Sequence, residues 1–225
     1  MLLLLVFFTF FSPSLSTFIL PYTLPLDLIH LMGTLEQPAN STDFICDDVI
    51  LEYCQTTFNS KMGWGEGISW RNGTWMMGQI QTSLDASQDR FFATCGYHST
   101  FHQCMGTYYN TCLNLFSLLS RIHSDLQNTF DYLRTFRSLE YICNDGSDAV
   151  IGKWGCLGAV PQTSTYKMCT SSFQRAVNSN NLCLSVNQTA SCMSDAFNAA
   201  CGTGPFGCNN FISEFNTACS GLVCP

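Results

Sequence analysis

From residue 43 onward, apolar positions recur every three to four residues, the period of a helix with one buried face. Phe44, Cys46, Val49, Ile50, Tyr53, Cys54 and Phe58 form the first set. Ile80, Leu84, Phe91 and Cys95 form a second, and Phe101, Cys104, Tyr108, Cys112, Leu115 and Leu119 a third. Ser124-x-x-Gln127 is a capping-box signature that predicts a fourth helix with the stripe Leu126, Phe130, Leu133 and Phe136. Asn144-Asp145-Gly146 is a turn signal that stops it. Three more helices follow from Tyr166, Cys169, Phe173 and Val177; from Cys192, Met193, Phe197 and Cys201 ahead of a capping Gly202; and from Cys208, Phe211, Ile212, Phe215 and Cys219. The Gly- and Trp-rich stretch 59–78 reads as a loop, and 144–162, with Gly152, Gly155, Gly158 and Pro161, as an irregular connection. The pattern predicts an all-α bundle, either one body or two helical subdomains at 43–143 and 163–225.

Cysteines supply the staples. There are fourteen: Cys46, Cys54, Cys95, Cys104, Cys112, Cys143, Cys156, Cys169, Cys183, Cys192, Cys201, Cys208, Cys219 and Cys224. An even number is what complete pairing into disulfides requires, whereas zinc wants close Cys-Cys knuckles, and Cys219-x4-Cys224 stands alone. Which cysteine bonds which is left open by spacing. Cys95-x8-Cys104-Met105 leading to Cys112 parallels Cys183-x8-Cys192-Met193 leading to Cys201, a hint of duplication that whole-turn spacing in any helical protein would also produce.

The N-terminus fits the oxidising compartment that disulfides need. Residues 2–11 are a nearly unbroken apolar run of signal-peptide length, Pro13 breaks it, and Ser14-Leu15-Ser16 offers a cleavage site after Ser16. Residues 1–16 are therefore expected to be a signal peptide, with a retained anchor extending through Phe18-Ile19-Leu20 as the rival. No later stretch approaches the roughly 20 apolar residues of a membrane span, so membrane contact is expected only if the leader is retained. Residues 17–42, apolar and interrupted by prolines, are either an arm lying on the body or a removed pro-segment.

Only 11% of residues are charged, against roughly 25% in ordinary soluble proteins. Net charge is −7, and the nine basic residues are scattered, which excludes the cationic face that nucleic acid demands. Asn40, Asn72 and Asn187 open Asn-x-Ser/Thr sequons and are expected N-glycosylation sites in a secreted chain.

Candidate chemistry is thin. His98 and His102 stand one turn apart, but a metalloprotease helix needs Glu beside the first His, and Ser99 is there. Asp47, Asp48 and Glu52 share a helix start, where carboxylates ordinarily serve the macrodipole. No Gly-x-Ser-x-Gly elbow occurs, no adjacent cysteines mark a secreted phospholipase, and full pairing leaves no cysteine nucleophile. Trp64, Trp70 and Trp75 either form a stacking platform for a sugar or apolar ligand, or anchor a long loop. No catalytic, cofactor-binding or metal-ligating residue is assigned.

The leader, Cys46-x7-Cys54, the Trp loop, Phe91-x3-Cys95-x8-Cys104-x7-Cys112 and Cys192-Met193-x7-Cys201-Gly202 resemble secreted cysteine-rich helical domains expanded in nematodes. These include the chondroitin proteoglycan 4-like domains and a related secreted family of unknown function. The resemblance covers roughly residues 43–224. It implies a non-enzymatic extracellular protein with a structural or matrix-associated binding role and an extracellular protein or glycan as partner. Chondroitin attachment uses Ser-Gly beside acidic residues, and the sole Ser-Gly, Ser220-Gly221, has no acid beside it. A ligand-binding module or co-receptor ectodomain is the alternative, and a small secreted hydrolase using His98 or His102 a second.

Overall fold

The computed structural model describes residues 18–20, 22–25, 27, 46–177 and 181–224. The expected leader 1–16, most of the 17–42 segment, Phe44 and the sequon at Asn40 lie outside the described residues. Among the described residues the protein is all-α, and no helix is long and apolar enough to cross a membrane.

Each helix begins and ends where local chemistry allows. Helix α1 (Asp48–Met62) opens on Asp47, whose carboxylate accepts from the Val49 and Ile50 amides, and closes on Gly63 at φ 77°. Helices α2 (Gly73–Ala86) and α3 (Gln88–Met105) are separated only by Ser87, which ends one in extended backbone and caps the next. A short 3-10 turn leads into α4 (Tyr109–Cys112); Asn114 caps α5 (Leu115–Leu119). Helix α6 (Leu126–Ile142) is followed by α7 (Ser147–Leu157), α8 (Ser164–Ala176), α9 (Leu182–Cys201) and α10 (Gly204–Phe215).

Four local expectations are corrected. Val49 and Tyr53, assigned to the buried face of α1, are 77% and 69% exposed; the helix instead buries Leu51, Cys54, Gln55, Phe58 and Asn59. The 59–78 stretch is a loop only in its middle, because α1 runs to Met62 and α2 starts at Gly73. Gly73 is dictated by packing: a Cβ there would lie 1.8 Å from the Asn128 carbonyl oxygen on α6. The connection 144–162 holds a full helix, α7, kinked at Lys153. Lastly, α6 is capped by Asp125, not Ser124: the Asp125 carboxylate accepts from the Asn128 amide at 2.9 Å.

All fourteen cysteines are paired, and the connectivity occurs twice. In the first unit Cys46 bonds Cys112, Cys54 bonds Cys104 and Cys95 bonds Cys143. In the second, Cys156 bonds Cys201, Cys169 bonds Cys192 and Cys183 bonds Cys219. Numbering six cysteines in order, both units join first to fifth, second to fourth and third to sixth, one of fifteen possible schemes. A seventh bond, Cys208 to Cys224, belongs to the second unit alone. No disulfide joins the two units. By cysteine position α1 corresponds to α8, α3 with α4 to α9, and α6 to α10. The corresponding helices α6 and α10 pack on each other, so the units meet through like elements.

A third partner fills that seam. The N-terminal segment is bound there with Phe18, Ile19, Leu20, Tyr22 and Leu24 each 4% exposed or less. Burying side chains of this kind is worth roughly 1.5–3 kcal/mol apiece. Phe18 rests on Phe91 and Trp154, and Tyr22 on Phe173 and Phe215. Beneath the segment lies a buried ionic cluster. Arg134 donates from Nε to Asp131 at 3.0 Å and from Nη2 to the Leu20 carbonyl at 2.5 Å, with Glu214 at 3.5 Å from Nη1. Buried charges survive only when paired and hydrogen-bonded, and here the segment's own backbone completes the set.

Candidate functional site

Where the first unit departs from the second, it opens a cavity of about 490 Å³. Helix α1 gives one wall through Asp48, Leu51, Glu52, Gln55 and Thr56; the 67–71 loop and residues 120–122 give the others. The floor is fixed by hydrogen bonds. Gln55 is buried, donates to Asn59 Oδ1 at 2.8 Å and accepts from the Tyr132 hydroxyl at 2.7 Å. Trp70, 8% exposed, donates from its indole nitrogen to Ser124 Oγ at 2.8 Å, and the Ser124 hydroxyl in turn donates to the Leu118 carbonyl at 2.7 Å. Ser69 and Asn72 close a reciprocal capping box around Trp70, which holds the loop.

Charge lines the rim. The Arg71 guanidinium lies 4.3 Å from the Trp70 ring centroid and the Arg121 guanidinium 5.3 Å, a double cation–π arrangement. Arg121 is spent internally, on the Ser117 carbonyl and on a charge-assisted pair with Asp48. Arg71 uses Nε on the Ile122 carbonyl at 3.0 Å, and its terminal nitrogens meet no acceptor among the described residues. Arg71 and Glu52 are therefore the charged groups free to meet a ligand, over an apolar and amide floor. This arrangement suits binding of a polar molecule with a flat face.

The residues singled out from sequence are dispersed, not gathered. Asp47 caps α1, Asp48 pairs with Arg121 and Glu52 lines the cavity, so the three carboxylates serve three purposes. His98 is 3% exposed, with Nε2 at 3.1 Å from the Tyr109 hydroxyl; burial, with His102 and Arg137 nearby, pushes its pKa down to about 4. His102 is exposed, with its ring centroid 4.3 Å from that of Tyr109 and the two planes tilted by 48°. Among the described residues no three His, Cys, Asp or Glu side chains form a group able to hold a metal ion. Trp64 and Trp75 meet edge to face at 5.3 Å while Trp70 is buried in the cavity wall, so the three indoles do not make one platform. Asn72 accepts from the Ser69 amide at 3.3 Å, and Thr74 of that sequon donates to Asp131; Asn187 is exposed on α9.

Sequence reasoning missed the buried network of Asp131, Arg134, Ser138, Asn210 and Glu214, with partly buried Gln127 at its edge. A signal was present: Asp131 and Arg134 sit three apart beside Phe130 and Leu133 on the apolar stripe of α6, where charge is out of place. Burial raises the Glu214 carboxyl to about 8, opposed by Arg134 and the Leu20 amide and reinforced by Asp131. Compared with known proteins, the chain matches no family model, no curated protein and no solved structure.

Proposed function

We propose that the chain is a secreted, non-enzymatic binding protein of the extracellular space, with the cavity over Trp70 as its ligand site. One observation carries the reading: all fourteen cysteines are paired in a twice-used connectivity, the mark of a scaffold matured in an oxidising environment. Support for binding comes from the cavity's hydrogen-bonded floor and from Arg71 and Glu52, which line it without an ion-pair partner among the described residues. The likeness in cysteine spacing to nematode matrix-type domains favours an extracellular protein or glycan as partner. Ser220 is exposed but enclosed between two bonded cysteines with no neighbouring acid, which disfavours glycosaminoglycan attachment. N-glycans at Asn40, Asn72 and Asn187 belong to the same proposal.

Expression through a secretory pathway tests it. The mature protein should gain about 14 Da on reduction, one proton per sulfur, and should lose mass on enzymatic deglycosylation. A saturable extracellular partner should crosslink through the cavity and be lost in Arg71→Ala and Glu52→Ala. Free thiols in the secreted protein, or turnover across lipid, peptide and glycan substrates, would overturn the reading.

A further inference from the structure

We propose that the seam between α6 and α10 is a binding site for an apolar peptide, filled in cis by residues 18–20 and 22–24. This is independent of the Trp70 cavity. Three observations combine. First, the segment is held by nothing covalent at the site: residues 1–45 contain no cysteine, and every disulfide lies within 46–224. Second, the body reads the segment's backbone with side chains, as a receptor reads a peptide. The Phe18 carbonyl accepts from Asn210 at 2.6 Å and Ser138 at 3.1 Å, and the Ile19 carbonyl from Gln81 at 2.5 Å. Leu20 donates its amide to Glu214 and gives its carbonyl to Arg134. Gln127 accepts from the Leu24 amide at 2.7 Å and reaches the Tyr22 carbonyl at 3.4 Å.

Third, the site is costly to leave empty. Arg134, Glu214 and Asn210 are 5% exposed or less, and each uses the segment's backbone as a partner. Withdrawing it would strand those groups in an apolar seam. Specificity comes from two aromatic slots four residues apart. Phe18 takes the one made by Phe91 and Trp154, and Tyr22 the one made by Phe173 and Phe215. The ligand class is thus an apolar peptide of about seven residues with aromatic side chains at positions one and five. Tethering raises the segment's effective concentration to the millimolar range, so a free peptide competes only after the tether is cut.

The test uses the full chain with a specific protease site placed between residues 30 and 40. After cutting, the amino-terminal fragment should stay with the body in gel filtration. A fluorescein-labelled peptide of residues 18–25 should exchange in saturably, and unlabelled peptide should compete. Uncut protein should take up at least about tenfold less label, as the tether demands. Phe18→Ser with Tyr22→Ser in the peptide should abolish uptake. Gln81→Ala in the body, which removes the partly buried contact to the Ile19 carbonyl without touching the ionic cluster, should weaken uptake by about fivefold. Uptake no greater than that of the doubly substituted peptide, by a cut body whose helical circular dichroism persists, overturns the proposal. So does unfolding of the body on cutting, since the segment would then be part of the fold and not its ligand.

Discussion

The two halves of the molecule share one disulfide scheme and differ in how much chain they thread through it. In the first, the bonds span 66, 50 and 48 residues; in the second, the corresponding bonds span 45, 23 and 36. Much of the excess is the 63–86 insertion, which supplies α2 and the loop carrying Trp70. The first half also interrupts its central helix at Gly106, where the second runs unbroken from Leu182 to Cys201. The connectivity is thus the constant and the intervening length the variable. The cavity sits in the longer half, as it would if a compact stapled unit had been kept for stability and its copy enlarged for binding.

The largest effect available breaks corresponding bonds. Cys54→Ala with Cys104→Ala, and Cys169→Ala with Cys192→Ala, remove the second-to-fourth bond from each half. Loop-closure entropy assigns about 4 kcal/mol to the longer loop and somewhat over 3 kcal/mol to the shorter. Denaturant unfolding of both variants should reproduce that order. A greater loss from the second half would show that loop length is not what distinguishes the units.

A smaller effect separates them by pH. His98 lies in the first unit, with its pKa down at about 4 against an ordinary 6.5; across that window the unfolded chain holds the extra proton, so stability rises with pH. Glu214 lies in the second, up at about 8 against 4.5, faced by Arg134 and Asp131 from α6 and by Tyr166 from α8. Between those values the folded chain holds the extra proton, so stability falls as pH rises. From 4.5 to 6.5 the two slopes oppose and cancel. His98→Asn should therefore uncover a fall beginning near 4.5, and Glu214→Gln a rise persisting to 6.5, neither steeper than about 1.4 kcal/mol per pH unit. Thermal melting of the three proteins from pH 4 to 8.5 reads this directly. Parallel profiles would contradict the assignment.

The all-α class and several helix stripes were legible because amphipathic periodicity and cysteine spacing are local signals, although the run from Ile80 to Cys95 is two helices parted at Ser87 and the run from Phe101 to Leu119 breaks at Gly106. Phe130, Leu133 and Phe136 on α6 are all fully buried. The duplication was half legible: spacing showed the parallel, but only the pairing, a three-dimensional fact, raised it above whole-turn coincidence. Long-range use of polar residues was not legible. Ser124 and Gln127 looked like a capping box, yet Ser124 is committed to Trp70 and Gln127 to the N-terminal segment, while Asp125 caps the helix. Helix α7 was hidden by two glycines, Gly152 and Gly155, whose low propensity is overruled by burial of Val150 and Leu157. The cavity likewise depends on Trp70 meeting Ser124 across 54 residues, which no local pattern encodes.

The smallest effect sharpens the role of the segment that bridges the halves. Its two aromatic anchors are not equivalent: Phe18 meets Phe91 of the first unit and Trp154 on α7, the helix that carries Cys156, whereas Tyr22 faces Phe173 and Phe215 of the second unit alone. Tyr22 carries a hydroxyl that is buried with no hydrogen-bond partner among the described residues, and burial raises its pKa well above the ordinary tyrosine range. A stranded hydroxyl costs free energy that phenylalanine does not. Tyr22→Phe should thus leave stability unchanged or raise it by up to about 1 kcal/mol, with the aromatic contacts intact. Chemical denaturation measures it, and a loss beyond that size would mean that the hydroxyl, not the ring, anchors the segment to the second unit. Such a loss would also change the ligand class of the groove, from any aromatic at the fifth position to tyrosine alone.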